Sequence, residues 1–358
     1  MEGFLHYRQD AHICGFLFNQ LPASLIGSVR EMCEALNTSY FGYLPRHDIS
    51  LESRNLGLVT AAEIPDLQEK MERLGALAAK SVDLGLLLKL SECDRENGTK
   101  TVVGISRPAA DPPQAAGPVV AVARDEAFCF RYPENIRLLE ELGCRIVYFS
   151  PMNDDRIPAD AAGLYLCGGY PELHARELSE NGSMRESVRQ AVTGGMPTIA
   201  ECGGFLYLHR ELRMGNPVDA ADGDAMPEDT AAAESGIAGA APDGGIVWPM
   251  AGVFDAAAFP KKSLQRFGYI TMTARSDNLL CEKGEQIRAH EFHYWDSECP
   301  GTLFLAEKQD GRSWTAGIGT ENLYAGFPHL YFYARPEMAL RFVKKCAAYR
   351  RRASGDAE

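Results

Sequence analysis

Cys202 stands after a short apolar run, Thr198 to Ala200, and before Gly203-Gly204-Phe205-Leu206-Tyr207-Leu208. That order predicts a buried strand, a tight turn and a helix, with a thiol at the apex. Such an elbow exposes a nucleophile. The glycines allow the sharp turn, and the amide end of a helix favours thiolate over thiol, so Cys202 is expected to have a lower pKa than buried cysteines. One of ten cysteines, it reads equally as a small core residue when taken alone. A cysteine nucleophile needs a base, and the chain has eight histidines. His329, in Gly326-Phe327-Pro328-His329-Leu330-Tyr331-Phe332, ends the last apolar segment before a closing helix, where a late loop can deliver it to the elbow. A lone histidine among apolar residues is otherwise a packed core residue. Gly168-Gly169 ends another apolar run, and glycines there let backbone N–H groups face an oxyanion, or simply make a βα turn. His290-Glu291-Phe292-His293-Tyr294-Trp295 is not a metalloprotease helix motif. On a strand it places Glu291, His293 and Trp295 on one face, with Arg288, His290, Phe292 and Tyr294 on the other. It reads as a ligand-facing or structural strand, and no metal site is assigned.

Positioning these groups requires alternating strands and helices. Strands are expected at Val119 to Ala123, Arg145 to Phe149 and Gly163 to Cys167, with helices at Pro133 to Leu142 and Asn181 to Val192 leading to the elbow. This alternation implies a parallel sheet with its sites at the carboxyl edge, where both Gly168-Gly169 and Cys202 fall. Further strands are expected at Met250 to Phe254, Phe267 to Ala274, Gln286 to Trp295, Ser313 to Ile318 and Tyr324 to Tyr333, with a helix from Pro336 to Tyr349. Residues 1–92 read as part of a separate α/β domain, with a strand His12 to Phe18, a helix Ser28 to Leu36 and a long helix Ile64 to Leu88. The polar, Pro-rich residues 93–117 read as a linker, 215–245 as a low-complexity surface insertion in a domain spanning 118–350, and 351–358 as a tail.

A length of 358 residues, 46% hydrophobic and 24% charged, fits a globular chain with two cores. A formal charge of −13 argues against a nucleic-acid surface. No apolar run reaches membrane-spanning length, the first residues lack a signal-peptide pattern, and the scattered cysteines imply reduced thiols, so a cytoplasmic protein is expected.

An ordered set of motifs carries a family resemblance: Phe16-Leu17-Phe18-Asn19-Gln20, Gly42-Tyr43-Leu44-Pro45-Arg46, Ser53-Arg54-Asn55-Leu56-Gly57-Leu58-Val59, Gly168-Gly169-Tyr170-Pro171-Glu172, Ala200-Glu201-Cys202-Gly203-Gly204, His290-Glu291-Phe292-His293-Tyr294 and Pro328-His329-Leu330. Together they resemble the cobyrinic acid a,c-diamide synthase family. The resemblance implies a dethiobiotin-synthetase-like, P-loop-type α/β domain, here partial, followed by a class I glutamine amidotransferase domain of flavodoxin-like α/β fold. It implies L-glutamine as nitrogen donor, a corrinoid acceptor amidated at its a and c carboxylates, and ATP with magnesium. Carried over, Cys202 attacks glutamine, His329 moves the proton, and the amides around Gly168, Gly169 and Gly203 hold the oxyanion. Asn19 and Pro45 fall on the adenine side of the ATP site, and His290 and His293 are candidates to face the substrate.

Three departures qualify these implications. The sequence contains no GxxxxGK[ST], so the 358-residue chain is expected to hydrolyse glutamine but not to amidate a corrinoid unaided. A homodimer or a separate P-loop-bearing chain is the partner implied. Many class I glutaminases carry a carboxylate two residues after the histidine; Tyr331 stands there, so a Cys-His dyad is expected. The family's His-Leu-Gly reads Asn55-Leu56-Gly57. A related tetrapyrrole, hydrogenobyrinate or nickel sirohydrochlorin, is an alternative acceptor, and a non-catalytic remnant is the alternative of another class.

Overall fold

The computed structural model describes residues 1–50, 64, 66–92, 117–214, 239–240 and 245–354. The motif at 53–59, the linker after residue 92 up to 116 and most of the insertion lie outside the described residues. Met1–Val103 and Gly104–Glu358 are two compact units.

In the first unit, α1 (Glu2–Tyr7) precedes β1 (Gly15–Leu21), α2 (Ile26–Ala35) and β2 (Ser39–Pro45). β1 and β2 pair in parallel, so α2 is their crossover. The expected strand begins three residues late because His12 turns the chain with φ +48°. The long helix expected over 64–88 is instead two, α3 (Leu67–Ser81) and α4 (Leu84–Ser91). Val82 leaves the helix to bridge Gly42, and Asp83 caps α4 by accepting from the Leu86 N–H at 2.8 Å. Capping by an aspartate here outweighs continuation of an apolar period.

In the second unit, β3 (Val119–Ala123) is buried at every residue, as a parallel strand covered on both faces must be. Then follow α5 (Pro133–Glu141), β4 (Arg145–Phe149), β5 (Ala161–Leu166), α6 (Ala175–Glu180), α7 (Gly182–Thr193), β6 (Thr198–Glu201) and α8 (Gly203–Tyr207). The chain leaves this layer through β7 (His209–Met214), β8 (Gly239–Ala240), β9 (Ile246–Pro249), β10 (Phe254–Pro260), β11 (Arg266–Ala274), β12 (Gln286–His293), β13 (Trp295–Ser297), β14 (Phe304–Glu307) and β15 (Ser313–Ala316). It returns with β16 (Ile318–Thr320) and β17 (Leu323–Gly326), then β18 (His329–Leu330) and α9 (Pro336–Ser354).

The central sheet runs β16-β17-β6-β5-β3-β4, parallel except for the β16–β17 hairpin. Ala123, Phe149, Leu166, Glu201 and Gly326 therefore end strands along one edge. Two five-stranded sheets, β13-β10-β7-β9-β8 and β15-β14-β11-β12-β18, hold the remainder. α9 packs so closely on β5 that a Cβ at Gly163 would lie 2.4 Å from Cys346 Sγ.

Several expected strands are divided, each for a local reason. Residues 250–253 are not strand: Gly252 takes φ +68°, and its neighbours return hydrogen bonds to residues 207–210. Gly317, at φ +78°, cuts the strand expected over 313–318 and passes the chain from the β14–β15 pair to the central sheet. Tyr324 to Tyr333 is β17, a turn at Pro328 and the two-residue β18. Within the expected insertion, Gly239 and Ala240 form an edge strand against β9 instead of a loop. The closing helix continues to Ser354, into the residues expected as a tail.

Candidate active site

The elbow forms as its sequence requires. Cys202 takes φ +47° and ψ −101°, a left-handed backbone that a non-glycine residue adopts only under constraint. The constraint is visible: its N–H donates to Gly326 O at 2.8 Å, and its C=O accepts from Leu206 N–H at 2.9 Å. The flanking glycines permit the close approach. A Cβ at Gly204 would lie 2.1 Å from Leu166 O, and one at Gly203 would lie 2.8 Å from Pro171 Cδ and 2.9 Å from Gly169 N. The amide of Gly169 thus sits against the first residue of α8, two N–H groups of the kind that can hold an oxyanion.

Gly168 packs against the histidine. Its carbonyl accepts from Phe130 N–H at 3.0 Å, and a Cβ there would lie 2.5 Å from His329 Cε1. It is the floor on which the imidazole rests.

His329 reaches this edge because β18 follows β17 directly, and β17 is the neighbour of β6. Its ring meets Phe130 edge to face at 4.7 Å and is buried. The chain just after it is clamped by Asn135 of α5, whose amide donates to Leu330 O at 2.7 Å and accepts from Phe332 N–H at 2.8 Å. Tyr324 donates its hydroxyl to Pro328 O at 3.2 Å. Glu201, immediately before the nucleophile, accepts from Leu330 N–H at 3.1 Å and from the Tyr165 hydroxyl at 2.9 Å. Its Oε2 lies 3.9 Å from His329 Nδ1, which has no hydrogen-bond partner among the described residues. The sequence reading singles out neither Glu201 nor Asn135 as a site residue. The signal for Glu201 is an acidic residue closing a wholly buried strand.

The electrostatics correct the expectation for the thiol. Burial pushes Cys202 up to about 12, and Glu172, then Glu201 and Glu291, add to this against the Gly203 amide. A five-residue helix offers too little to overcome desolvation and three carboxyls. Burial likewise pushes His329 down to about 3, with His290 and His293 assisting. At neutral pH the resting pair is therefore thiol and neutral imidazole rather than an ion pair. Burial raises Glu201 to about 8, and Glu172 and Glu291 to about 7.

His290 and His293 diverge as strand alternation requires. His293 is buried, its ring stacked on Phe327 at 3.9 Å and its Nδ1 2.6 Å from Trp295 O. His290 lies on the other face with the exposed Phe267 and Tyr269, at ring separations of 5.9 and 5.1 Å. Glu172 Oε2, Glu291 Oε2 and His293 Nε2 are buried with no hydrogen-bond partner among the described residues. Unpartnered carboxyl oxygens that act on the Cys202 thiol suit a cationic ligand group. Cys167 is fully buried, and its thiol is directed to Ala123 O at 3.4 Å and Phe128 O at 3.6 Å.

In the first unit, Asn19 lies near the end of β1, and Pro45 ends β2 opposite Leu21. Both lie toward the C-terminal ends of these two parallel strands. The described residues of this unit include no GxxxxGK[ST] loop to hold the phosphates of a nucleotide. Among the described residues no helix is long and apolar enough to cross a membrane.

A parallel α/β sheet that presents a thiol at a left-handed elbow, with a histidine arriving from the adjoining strand, defines a class I glutamine amidotransferase domain. Residues 119–337 match the CobB/CobQ-like glutamine amidotransferase domain, and the chain belongs to the cobyrinate a,c-diamide synthase family. It is 32% identical to the cobyrinate a,c-diamide synthase of Caldanaerobacter subterraneus subsp. tengcongensis, over 98% of this chain and 71% of that protein. The corresponding synthases of Listeria monocytogenes and Salmonella typhimurium are each 34% identical, covering 93% and 94% of this chain and 68% of their own lengths. Overlap with the structure of PurLQS from Thermotoga maritima is slighter, at 15% identity and a TM-score of 0.40 over 65% of this chain and 99% of that one.

Proposed function

We propose that this chain releases ammonia from glutamine at Cys202 for amidation of the a and c carboxylates of cobyrinic acid in cobalamin synthesis. The observation that carries the reading is the strained elbow of Cys202, bonded to the end of the strand that leads to His329. His329 accepts the thiol proton as sulfur attacks the side-chain amide carbon of glutamine. The Gly169 and Gly203 amides receive the oxyanion, the imidazolium returns its proton to the departing ammonia, and water then cleaves the thioester. The α-ammonium of glutamine meets Glu172 and Glu291, whose unpartnered oxygens it would satisfy.

Support for the acceptor comes from the family, since the relatives are cobyrinate a,c-diamide synthases. Asn19 and Pro45 support an adenine-side contact in a domain of dethiobiotin-synthetase type. The test is glutamine hydrolysis by the purified chain, with C202S as control, followed by mass analysis of cobyrinic acid incubated with the chain, glutamine, ATP and magnesium. Ammonia release abolished by C202S is expected. Equal release by C202S would refute the assignment.

A further inference from the structure

We infer that Glu201 is the carboxylate that orients His329, replacing from the nucleophile's own strand the acid that Tyr331 does not supply. The inference rests on the reading of Cys202 as nucleophile and His329 as base.

Three observations converge on it. The Nδ1 of a buried histidine is left without a partner among the described residues, and a buried polar atom so placed calls for one. The acid nearest to it, Glu201 Oε2 at 3.9 Å, is about 1 Å beyond a charge-assisted hydrogen bond, and catalytic contacts commonly tighten when substrate binds. The carboxylate is itself held, by Tyr165 on one oxygen and by the N–H of Leu330, next to the histidine, on the other. The second of these bonds ties the acid to the residue that follows the base.

The proton path balances. The Cys202 proton passes to Nε2 as sulfur attacks, giving an imidazolium whose Nδ1–H points to Glu201. The same proton leaves with ammonia, and Glu201 never takes it. The groups that face Glu201 are His329 from β18, Tyr165 and Cys167 from β5 and its end, Tyr324 from β17, Tyr132 ahead of α5, and Cys202 itself. Among these only His329 can become cationic. Burial keeps the Glu201 carboxyl protonated up to about pH 8 in the resting site. An orienting anion therefore gives an ascending limb of kcat/KM near that pH. Glu201 acts through His329 and is a positioning residue.

The experiment is steady-state glutamine hydrolysis across pH by wild type, Glu201→Gln, Glu201→Asp and Cys202→Ser. Glu201→Gln is expected to lower kcat by about 10²-fold, with KM changed less than about 3-fold, and to abolish the ascending limb. Glu201→Asp, which restores the charge, is expected to recover part of the rate and the limb. Wild-type kcat with the limb intact in Glu201→Gln, while Cys202→Ser is inactive, would overturn the inference and leave the nucleophile standing. Full activity in Cys202→Ser would overturn both. Should Glu201→Gln not fold, proton NMR of the wild type with a glutamine-analogue electrophile bound at Cys202, above pH 8, decides. A downfield Nδ1–H resonance that disappears in His329→Asn is expected, and its absence overturns the assignment.

Discussion

Two Cys-Gly-Gly sequences end neighbouring strands of the same sheet, Cys167-Gly168-Gly169 after β5 and Cys202-Gly203-Gly204 after β6. Their chemistry diverges completely. Cys167 is sealed, its thiol directed at two carbonyls, while Cys202 stands at φ +47° with part of its surface open. Gly168 supports an imidazole and Gly169 offers an amide; Gly203 opens a helix and Gly204 allows it to approach Leu166. The residues ahead differ too, Leu166 in one strand and Glu201 in the other. Backbone direction and neighbours, not acidity, set the two thiols apart, since burial raises the pKa of both.

The largest test of this contrast is activity. Cys202→Ser is expected to lose about 10⁴-fold or more in glutamine hydrolysis, and Cys167→Ser to remain within a few-fold of wild type. A severe effect of Cys167→Ser on kcat, without loss of folded protein, would reverse the two roles. Next comes the base: His329→Ala should cost about 10²–10⁴-fold in kcat, and His293→Ala far less. The reverse order would move the base to β12.

Alkylation sharpens the contrast at the level of the thiols. Because Cys202 rests protonated, with a pKa pushed up to about 12, iodoacetamide should modify it slowly near neutrality and faster as pH rises. Cys167 should react only after denaturation. Modification of Cys202 at a pH-independent rate would show a standing thiolate.

The smallest expected effect is on stability. Burial raises the Glu201 carboxyl from its ordinary 4.5 to about 8 in the folded chain. The unfolded chain therefore loses this proton first, and stability falls as pH rises from about 4.5 to about 8, then levels. Glu201→Gln removes that slope, so its Tm relative to wild type should climb from about pH 5 to about pH 8. A constant Tm difference across this range would mean that the carboxyl is already ionised when folded. Leucine at the same place in β5 has no such dependence to lose.

Much of the second unit was legible because parallel strands are short apolar runs between turn signals: β3, β5 and the elbow strand, buried throughout or nearly so, and the edge strand β4 lie where those runs stand. Strand alternation also separated His290 from His293. What was not legible was set by glycines and by distant partners. The φ +78° at Gly317 and φ +68° at Gly252 cut apolar stretches that read as continuous, and Val82 left a good helical period to pair with Gly42. The elbow at Cys202 was readable, but the pKa of its thiol was not, because three acids and a buried setting come from the fold. Glu201 gave little sign of its neighbour His329, which is remote along the chain and tied to it through Leu330.

That separation bears on how the molecule assembles. The bonds of Asn135 to Leu330 and Phe332 join residues 195 and 197 positions apart, and Glu201 to Leu330 spans 129. Contacts between such remote segments must overcome loop-closure entropy before they contribute, so they form late and slow folding. β3 to β6, by contrast, pair over shorter stretches of chain, as Val119 with Arg145 and Leu164 with Thr198. In refolding, backbone structure and burial of the central strands should therefore recover before the capacity to hydrolyse glutamine, and the lag between the two signals would measure the docking of the final strands.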